Sequence, residues 1–175
     1  MIKYRRPLPN EAETFAELHV QCWREAYVVI LPSALMQSLD VGKRLPMWVK
    51  NLSDNSRIIF GAYDEGAAVG FIIAGKPVEE LFDDMDGHIA AIYIAASHYR
   101  RGIGQALMSK VAGAWAEQGG DSLALGVLAE NARARAFYES LGGKLIKTGT
   151  YEWDGFPLAD AIYSFDDLPA LLSKD

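Results

Sequence analysis

The residues best suited to chemistry in this sequence form a short basic segment with two glycines, RRGIG at 100–104. An apolar run at 89–94 precedes it and predicts a buried strand, and the apolar residues that follow it have helical spacing. A glycine-rich turn that leads into a helix presents free main-chain N–H groups at the positive end of the helix dipole, and Arg100 and Arg101 add full charges. The pattern predicts a site for a phosphate-bearing ligand, with pyrophosphate as the best match. The alternative is a helix start in which the glycines serve packing and the arginines lie in solvent.

The composition of the chain limits the kind of protein that it encodes. It has 175 residues, half of them hydrophobic, which is enough to bury a core, and we expect one domain covering 1–175. The formal net charge of -6 argues against a general nucleic-acid binder and favours cationic partners such as amines. The single cysteine, Cys22, excludes an intrachain disulfide, and its apolar neighbours predict a buried thiol. Because no segment is typical of a signal peptide or a membrane span, we expect a cytoplasmic location and no membrane partner.

The elements that must position the basic segment alternate along the chain. An amphipathic first helix is predicted at 11–26 with Asn10 as its cap, and a strand hairpin is predicted to turn at 64–66. A buried strand is expected at 122–128, and Asn131 is expected to cap the helix that follows it. Further strands are predicted at 2–6, 57–63, 68–74, 144–148 and 158–165, and short helices at 33–39, 44–51 and 168–173. This alternation predicts an α/β, or mixed α+β, protein with one sheet.

An acidic, turn-rich segment lies between the hairpin and the central strand. Residues 76–87 read KPVEELFDDMDG and predict a loop. The loop is either a solvated connection or a lip that attracts a cationic substrate. The acidic side chains in question are Glu79, Glu80, Asp83 and Asp84.

Two motifs of this chain resemble those of the GNAT superfamily of N-acetyltransferases. The segment YRRGIG at 99–104 is similar to the family's loop for the pyrophosphate of acetyl-coenzyme A, and NARARAFYESLG at 131–142 is similar to its Asn-x-x-Ala-x-x-Phe-Tyr segment. The resemblance covers nearly the whole chain. It implies a GNAT-like fold, in which helices flank a mixed, mostly antiparallel sheet whose parallel central strands splay apart. A Rossmann-type nucleotide-binding domain is a weaker alternative, because Leu107 stands where that motif needs a third glycine or alanine.

Three positions depart from the family pattern. Tyr99 stands where the loop usually has Gln or Arg, so one side-chain contribution to phosphate binding is absent. Ala96 stands where a proline is common after the central strand. His88 stands where many members have a glutamate that acts as a base or holds a water, which leaves the identity of the base open.

The resemblance implies that acetyl-coenzyme A is the cosubstrate and that its acetyl group passes directly to an amine. Main-chain groups of 92–94 are then expected to pair with the pantetheine arm, and N–H groups of 101–106 to hold the pyrophosphate. Asn131 is expected to offer its side chain to the cofactor, and Arg133 or Arg135 to meet the remaining phosphate. The cofactor-binding set implied in this way is Ile92, Tyr93, Ile94, Arg100, Arg101, Gly102, Ile103, Gly104, Gln105, Ala106, Asn131 and Arg133.

Tyr138 and His88 are the residues to which the resemblance assigns proton transfer. Tyr138 matches the tyrosine of the second motif, whose implied role is general acid, because a phenol with a pKa near ~10 can protonate a departing thiolate with a pKa near ~8.5. An alkyl amine is protonated in solution, so the reaction also needs a base. His88, with a reference pKa of about 6.5, is one assignment, and Asp86 or a water held by the main chain is the other.

The acceptor is expected to be a small primary amine or a polyamine, because of the acidic segment. A protein or peptide amine is the alternative acceptor, and a non-catalytic acyl-coenzyme A sensor of the same fold is the alternative function. No nucleic-acid partner is expected. Exposed strand edges in such folds are compatible with a homodimer.

Overall fold

The computed structural model describes residues 1–77 and 85–172, in which seven strands form one mixed sheet. The strands are β1 (Lys3–Arg5), β2 (Ile58–Asp64), β3 (Ala67–Gly75), β4 (His88–Ile94), β5 (Leu123–Leu128), β6 (Lys144–Trp153) and β7 (Phe156–Phe165). The helices are α1 (Ala12–Tyr27), α2 (Ser33–Ser38), α3 (Val41–Ser53), α4 (Ile103–Glu117), α5 (Ala132–Ser140) and α6 (Leu168–Leu171), with short helical turns at Pro9–Glu11 and Ala96–His98. The order across the sheet is β1-β2-β3-β4-β5-β7-β6. The predicted mixed α/β class with one sheet is confirmed.

Helices cover both faces of the sheet, because its central strands are apolar on both sides. On one face Ile73 packs against Phe15 of α1 and Trp48 of α3. On the other face Ile72 packs in the cluster formed by α4, which includes Leu107. Since successive strand residues point to opposite faces, the continuous apolar run of β3 supplies both layers.

The pairing of β4 with β5 is the feature of the sheet that creates a site. It is the parallel pair of the sheet, and all the other described strand pairs are antiparallel. Its ladder consists of one residue pair, His88 with Ala124, at the start of both strands. Beyond that pair the strands diverge, so the predicted splay of the central strands is confirmed.

The β6–β7 hairpin is longer than the sequence predicts. The strands were predicted at 144–148 and 158–165, but β6 continues to Trp153 and β7 begins at Phe156, with Asp154 and Gly155 at the turn. The first nine residues of β6 are all exposed, so this strand has no alternation of buried and exposed residues that a sequence pattern could reveal. Its main-chain ladder with β7 defines it instead.

The predicted Asn10 cap of the first helix is wrong. A short helical turn, Pro9–Glu11, comes first, and α1 begins at Ala12. Glu11 stabilises this start, because its carboxylate accepts a hydrogen bond from the Leu8 N–H at 2.6 Å and forms an ion pair with Arg5 at 2.7 Å. The hydrogen bond from Arg5 is the main reason that the pKa of Glu11 is lowered to about 2.

Cys22 is a buried thiol, as predicted. It lies in α1 with 1% of its surface exposed, and burial raises its pKa to about 12. A thiol with this pKa is protonated at neutral pH and is a poor nucleophile.

Within residues 1–77 and 85–172, no helix has the length and apolar character that a membrane span requires. The acidic side chains predicted to form a lip (Glu79, Glu80, Asp83 and Asp84) lie outside the described residues, as does the predicted end of the last helix at Ser173.

Candidate active site

The gap between β4 and β5 exposes main-chain polar groups in the middle of the sheet. The N–H of Ala95, one residue after β4, donates to the C=O of Val69 in β3 at 2.9 Å. Because main-chain groups alternate in direction along a strand, those of Tyr93 also point toward β3, and those of Ile92 and Ile94 point into the gap. No described strand pairs with them on that side. Of the three residues predicted to pair with the pantetheine arm, Ile92 and Ile94 therefore have main-chain groups available for it. Tyr93 has only its side chain available.

The gap opens into a cleft of about 420 Å³, within the range of ordinary small-molecule sites. The starts of α4 and α5 close one end of the cleft, and α1 closes the other. Most of the predicted site residues line it, namely Ile92, Tyr93, Ile94, Arg100, Gly102, Ile103, Gly104, Gln105, Asn131, Arg133 and Tyr138. Three predicted site residues do not line it: His88, Arg101 and Ala106.

The start of α4 presents main-chain donors to the cleft. Gly102 is its N-cap, with a left-handed φ of 76°, and Arg100 is also left-handed, with a φ of 59°. No side chain caps this helix start. Since the first turn of a helix has no carbonyl partners of its own, the N–H groups of 103–105 remain for a ligand. The N–H of Ala106 was predicted to bind as well, but it donates to the Gly102 C=O at 3.0 Å.

The two glycines of the loop have different physical roles. A Cβ on Gly102 would meet no atom within 4 Å, so this position needs glycine for its left-handed conformation. A Cβ on Gly104 would lie 2.9 Å from Cζ of Phe137, so this position needs glycine because α5 packs directly against the start of α4. The sequence motif therefore sets both the turn and the contact between the helices that bound the cleft.

The two arginines of the loop have different surroundings. Arg100 lines the cleft. Arg101 instead forms an ion pair with Asp64 at the end of β2, at 3.0 Å, and Nε2 of His98 lies 3.3 Å from the same carboxylate. Arg101 thus connects the loop to the β2–β3 turn, and it does not contribute its charge to the cleft as the motif suggested.

The start of α5 contributes one amide and one guanidinium to the cleft. Asn131 caps α5 as predicted, with its Oδ1 accepting a hydrogen bond from the Ala134 N–H at 3.2 Å, and it is 7% exposed. The guanidinium of Arg133 stacks on the Tyr99 ring at 4.0 Å and donates to its hydroxyl at 2.9 Å. Tyr99 stands where the family pattern usually has Gln or Arg. It therefore holds the guanidinium of Arg133 at the cleft.

Tyr138 lies in the cleft, packed between aromatic rings. Its ring centroid is 5.5 Å from that of Phe137 and 6.0 Å from that of Tyr163, and 7% of the residue is exposed. Burial raises the pKa of the Tyr138 hydroxyl well above its usual value of 10, and the nearby Tyr27 raises it further. Its hydroxyl has no hydrogen-bond partner among the described residues, so it is a protonated donor that faces the cleft.

Tyr27 and Tyr93 also line the cleft; Tyr93 belongs to the predicted cofactor-binding set, and Tyr27 does not. The hydroxyls of Tyr27 and Tyr93 lie 2.8 Å apart, and burial raises both pKa values. The pair joins α1 to β4 across the end of the cleft opposite the arginines. Sequence analysis missed Tyr27, because the helical spacing of an aromatic residue does not distinguish a cleft residue from a core residue.

His88 lies away from the cleft. It is half-buried at the point where β4 and β5 are still paired, and burial, followed by the charge of Arg57, lowers its pKa to about 4. Asp86, the other named candidate base, binds the start of β5: its carboxylate accepts hydrogen bonds from the N–H groups of Asp121 at 2.6 Å and Ser122 at 2.8 Å. Although burial raises the pKa of Asp86, these donors outweigh it and the pKa is lowered.

Glu25 of α1, another carboxylate near β4, also has a structural role. Its Oε2 accepts a hydrogen bond from the Ala96 N–H at 2.7 Å, so it caps the short turn that follows β4. Neither Glu25 nor Asp86 is among the residues that line the cleft.

Comparisons with known proteins agree with this architecture. Residues 13–143 match the Acetyltransferase (GNAT) family. The chain is 28% identical over 172 residues to the uncharacterized N-acetyltransferase YuaI of Bacillus subtilis, covering 98% of this chain and 96% of that protein.

Solved structures show the same fold. PaiA N-acetyltransferase from Thermoplasma acidophilum, in complex with coenzyme A, superposes with a TM-score of 0.71 at 19% identity and covers 92% of this chain and 98% of its own. The yncA protein of Salmonella typhimurium, with acetyl-CoA, gives a TM-score of 0.70 at 14% identity, with 95% and 94% coverage. Because the family match spans most of the sequence and includes both motifs that form the cleft, this chain belongs to the GNAT acetyltransferase family.

Proposed function

We propose that this protein transfers the acetyl group of acetyl-coenzyme A to the primary amine of a small molecule. The observation that carries the proposal is that available main-chain groups of two elements line one cleft. They are those of Ile92 and Ile94 in the gap and the N–H groups at the start of α4, and Tyr138 lines the same cleft.

The cleft residues fit the parts of acetyl-coenzyme A. Amide groups of a pantetheine arm are able to pair with the main chain of Ile92 and Ile94 as a further strand would. A pyrophosphate is stabilised by the N–H groups of 103–105, by the helix dipole and by Arg100. Arg133, held by Tyr99, is available for the remaining phosphate. The bound thioester supplies an activated carbonyl carbon and a thiolate leaving group.

Tyr138 is the residue that we assign as general acid. It donates its proton to the sulfur as the C–S bond breaks and the C–N bond to the acceptor forms. An ammonium acceptor loses one proton to the base before attack, and the second proton, released as the amide forms, restores the Tyr138 hydroxyl. The enzyme therefore returns to its starting protonation state after each transfer.

A water held by the main chain is the base that we favour over His88. His88 does not line the cleft, and its pKa of about 4 makes it a weak base at neutral pH. Asp86 is engaged by main-chain donors at the start of β5. A water can act as the base while His88 and Asp86 keep their present contacts.

The net charge of -6 and the acidic run within 76–87 support a cationic small amine, polyamines included, as the acceptor. A protein or peptide amine remains the alternative acceptor to be included in any substrate panel.

Calorimetric titration with acetyl-coenzyme A, followed by an amine panel with detection of the released thiol, tests the proposal. We expect binding in the micromolar range and a dissociation constant at least about tenfold higher in an Arg100→Ala/Arg133→Ala variant, because two charge-assisted contacts are lost. Lys147→Ala, an exposed change on β6, is the matched control and should bind as the wild type does. Binding without turnover of any amine would indicate an acyl-coenzyme A sensor, and absence of binding would overturn the assignment.

A further inference from the structure

The carboxylate of Asp64 contacts the glycine-rich loop from outside the cleft. Its Oδ2 lies 3.0 Å from Nη2 of Arg101 and 3.3 Å from Nε2 of His98. Between these two partners lie Tyr99 and Arg100, both of which line the cleft. One side chain at the end of β2 therefore holds both ends of this four-residue segment, which leads into α4.

The position of Asp64 is itself fixed by a tight turn. Asp64 pairs with Ala67 across the β2–β3 hairpin, and the two residues between them, Glu65 and Gly66, are left-handed with φ values of 50° and 92°. Two left-handed residues are typical of a two-residue hairpin turn whose twist matches that of its strands. The carboxylate is therefore attached to main chain that the sheet holds in place.

The contact between Asp64 and His98 has a defined hydrogen-bond direction. Because a carboxylate only accepts hydrogen bonds, Nε2 of His98 carries the hydrogen. Nδ1 of the neutral ring then accepts from the Ser97 hydroxyl, whose oxygen lies 2.8 Å away. The side chains of Asp64 and His98 are 20% and 19% exposed, so water competes less for this contact than for one on the open surface. Ser97, His98 and Asp64 form a chain of hydrogen bonds from the turn after β4 to the end of β2.

The segment that Asp64 holds contains a left-handed residue that is not glycine. Arg100 has a φ of 59°. This conformation is unfavourable for a residue with a Cβ, and it persists where surrounding contacts enforce it. A change of φ at Arg100 would move Arg101 relative to His98, and one carboxylate could no longer hold both. The two contacts of Asp64 therefore oppose the return of Arg100 to ordinary right-handed backbone.

We propose that Asp64 is a positioning residue for the glycine-rich loop. By holding His98 and Arg101 together it keeps Arg100 left-handed and the free N–H groups at the start of α4 directed into the cleft. The inference rests on the cofactor site of the proposed function and adds a residue outside the cleft on which that site depends. In the opposite case Asp64 withholds Arg101 from the phosphates. Loss of the Asp64 charge weakens phosphate binding in the first case and strengthens it in the second.

Calorimetric titrations of Asp64→Asn with coenzyme A, adenosine diphosphate and pantetheine test the proposal. The first two ligands contain a pyrophosphate, and pantetheine does not. We expect the dissociation constants of the first two to rise about 5- to 30-fold, the factor by which one left-handed residue disfavours the binding conformation once it is released. The dissociation constant of pantetheine should be unchanged, because the main chain of Ile92 and Ile94 is unaltered. Asp64→Glu, which keeps the charge, should restore part of the affinity.

Glu65→Gln is the matched control, because it removes one negative charge from the same turn. Glu65 is exposed and forms no ion pair within residues 1–77 and 85–172, so its variant should bind all three ligands as the wild type does. Ser97→Ala tests the same chain of contacts from its other end, even if Asp64→Asn fails to fold. It should weaken binding of the two pyrophosphate ligands by about 2- to 10-fold, the range of one neutral hydrogen bond. Unchanged binding in Ser97→Ala would contradict the positioning role.

A kinetic split separates positioning from a general structural role. In Asp64→Asn the KM for acetyl-coenzyme A should rise with the dissociation constant, and kcat should be unchanged, because Tyr138 and the gap between β4 and β5 keep their contacts. Tighter or unchanged binding of coenzyme A by Asp64→Asn, or an equal loss for pantetheine, would overturn the proposal.

The wild-type titrations separate this proposal from the proposed function. Binding of adenosine diphosphate that depends on Asp64, without binding of coenzyme A, would leave the positioning role standing and refute the assigned cosubstrate. Binding of coenzyme A that Asp64→Asn does not weaken would do the reverse. Absence of binding of both ligands would overturn both proposals.

Discussion

Replacement of Tyr138 by phenylalanine removes one hydroxyl and keeps the ring. The ring packs against Phe137 and Tyr163, and the hydroxyl has no hydrogen-bond partner among the described residues, so the free energy of unfolding should change by less than about 1 kcal/mol. During transfer the hydroxyl donates to a departing thiolate, and a hydrogen bond to a charged group contributes about 1.5–3 kcal/mol. At 1.36 kcal/mol per factor of ten, kcat should fall about 10- to 150-fold.

The pH dependence of the same variant gives a second readout. Burial raises the Tyr138 pKa above its usual value of 10, so the wild-type hydroxyl remains a donor throughout the range below that value. The ratio of wild-type to variant rate should therefore stay constant from neutral pH to about 10.

The assay is single-turnover release of the coenzyme A thiol at saturating acetyl-coenzyme A, with Tyr4→Phe on the edge strand β1 as the control. A chemical step that changes less than twofold in Tyr138→Phe, or that changes equally in Tyr4→Phe, would refute the role of general acid.

The remaining predictions concern packing and titration. Gly104→Ala places a Cβ 2.9 Å from Phe137, and calorimetry should show weaker acetyl-coenzyme A binding than in the wild type, whereas an unchanged dissociation constant would contradict the packing argument. The pKa of Glu11 is lowered to about 2 from 4.5, mainly by Arg5, so its contribution is present above about pH 4.5 and is lost as the pH falls toward about 2. Glu11→Gln should therefore reduce the free energy of unfolding at pH 7 by about 1–2 kcal/mol after solvent screening, and urea titrations at pH 7 and pH 3 should show that this difference shrinks in acid. The pKa of His88 is lowered to about 4 from 6.5 by burial, so the unfolded chain binds more protons between these values and stability falls as the pH drops through them. His88→Gln should flatten that part of the stability curve and preserve the acidic limb of kcat/KM, and loss of that limb would restore His88 as the base.

The loop and its two helices were predictable because local chemistry determines them. Left-handed backbone at Gly102 requires glycine, and the amide of Asn131 caps the helix whose sequence follows it directly. The turn and the helix cap depend on residues that are neighbours in the chain, so the local sequence pattern predicts them. The motif order then predicted which family the sequence belongs to.

Other site residues were not predictable, because their roles depend on which elements pack together. Arg101 and Arg100 are adjacent, yet only Arg100 lines the cleft, since Asp64 at the end of β2 engages Arg101. His88 is the first residue of β4, and the pairing of β4 with β5 at that residue excludes it from the opening. The hydroxyls of Tyr27 and Tyr93 are 66 positions apart in the chain and meet at 2.8 Å.

The sequence by itself determined the class of fold, the glycine-rich turn before α4 and the family, because periodicity, glycine conformation and helix capping act over a few residues. Only the tertiary structure decided which polar groups share a space. The divergence of β4 from β5 leaves the main chain of Ile92 and Ile94 available, and the approach of the β2–β3 turn to the glycine-rich loop places Asp64 beside Arg101. These arrangements come from contacts between distant segments, whose distances and burial no local pattern encodes.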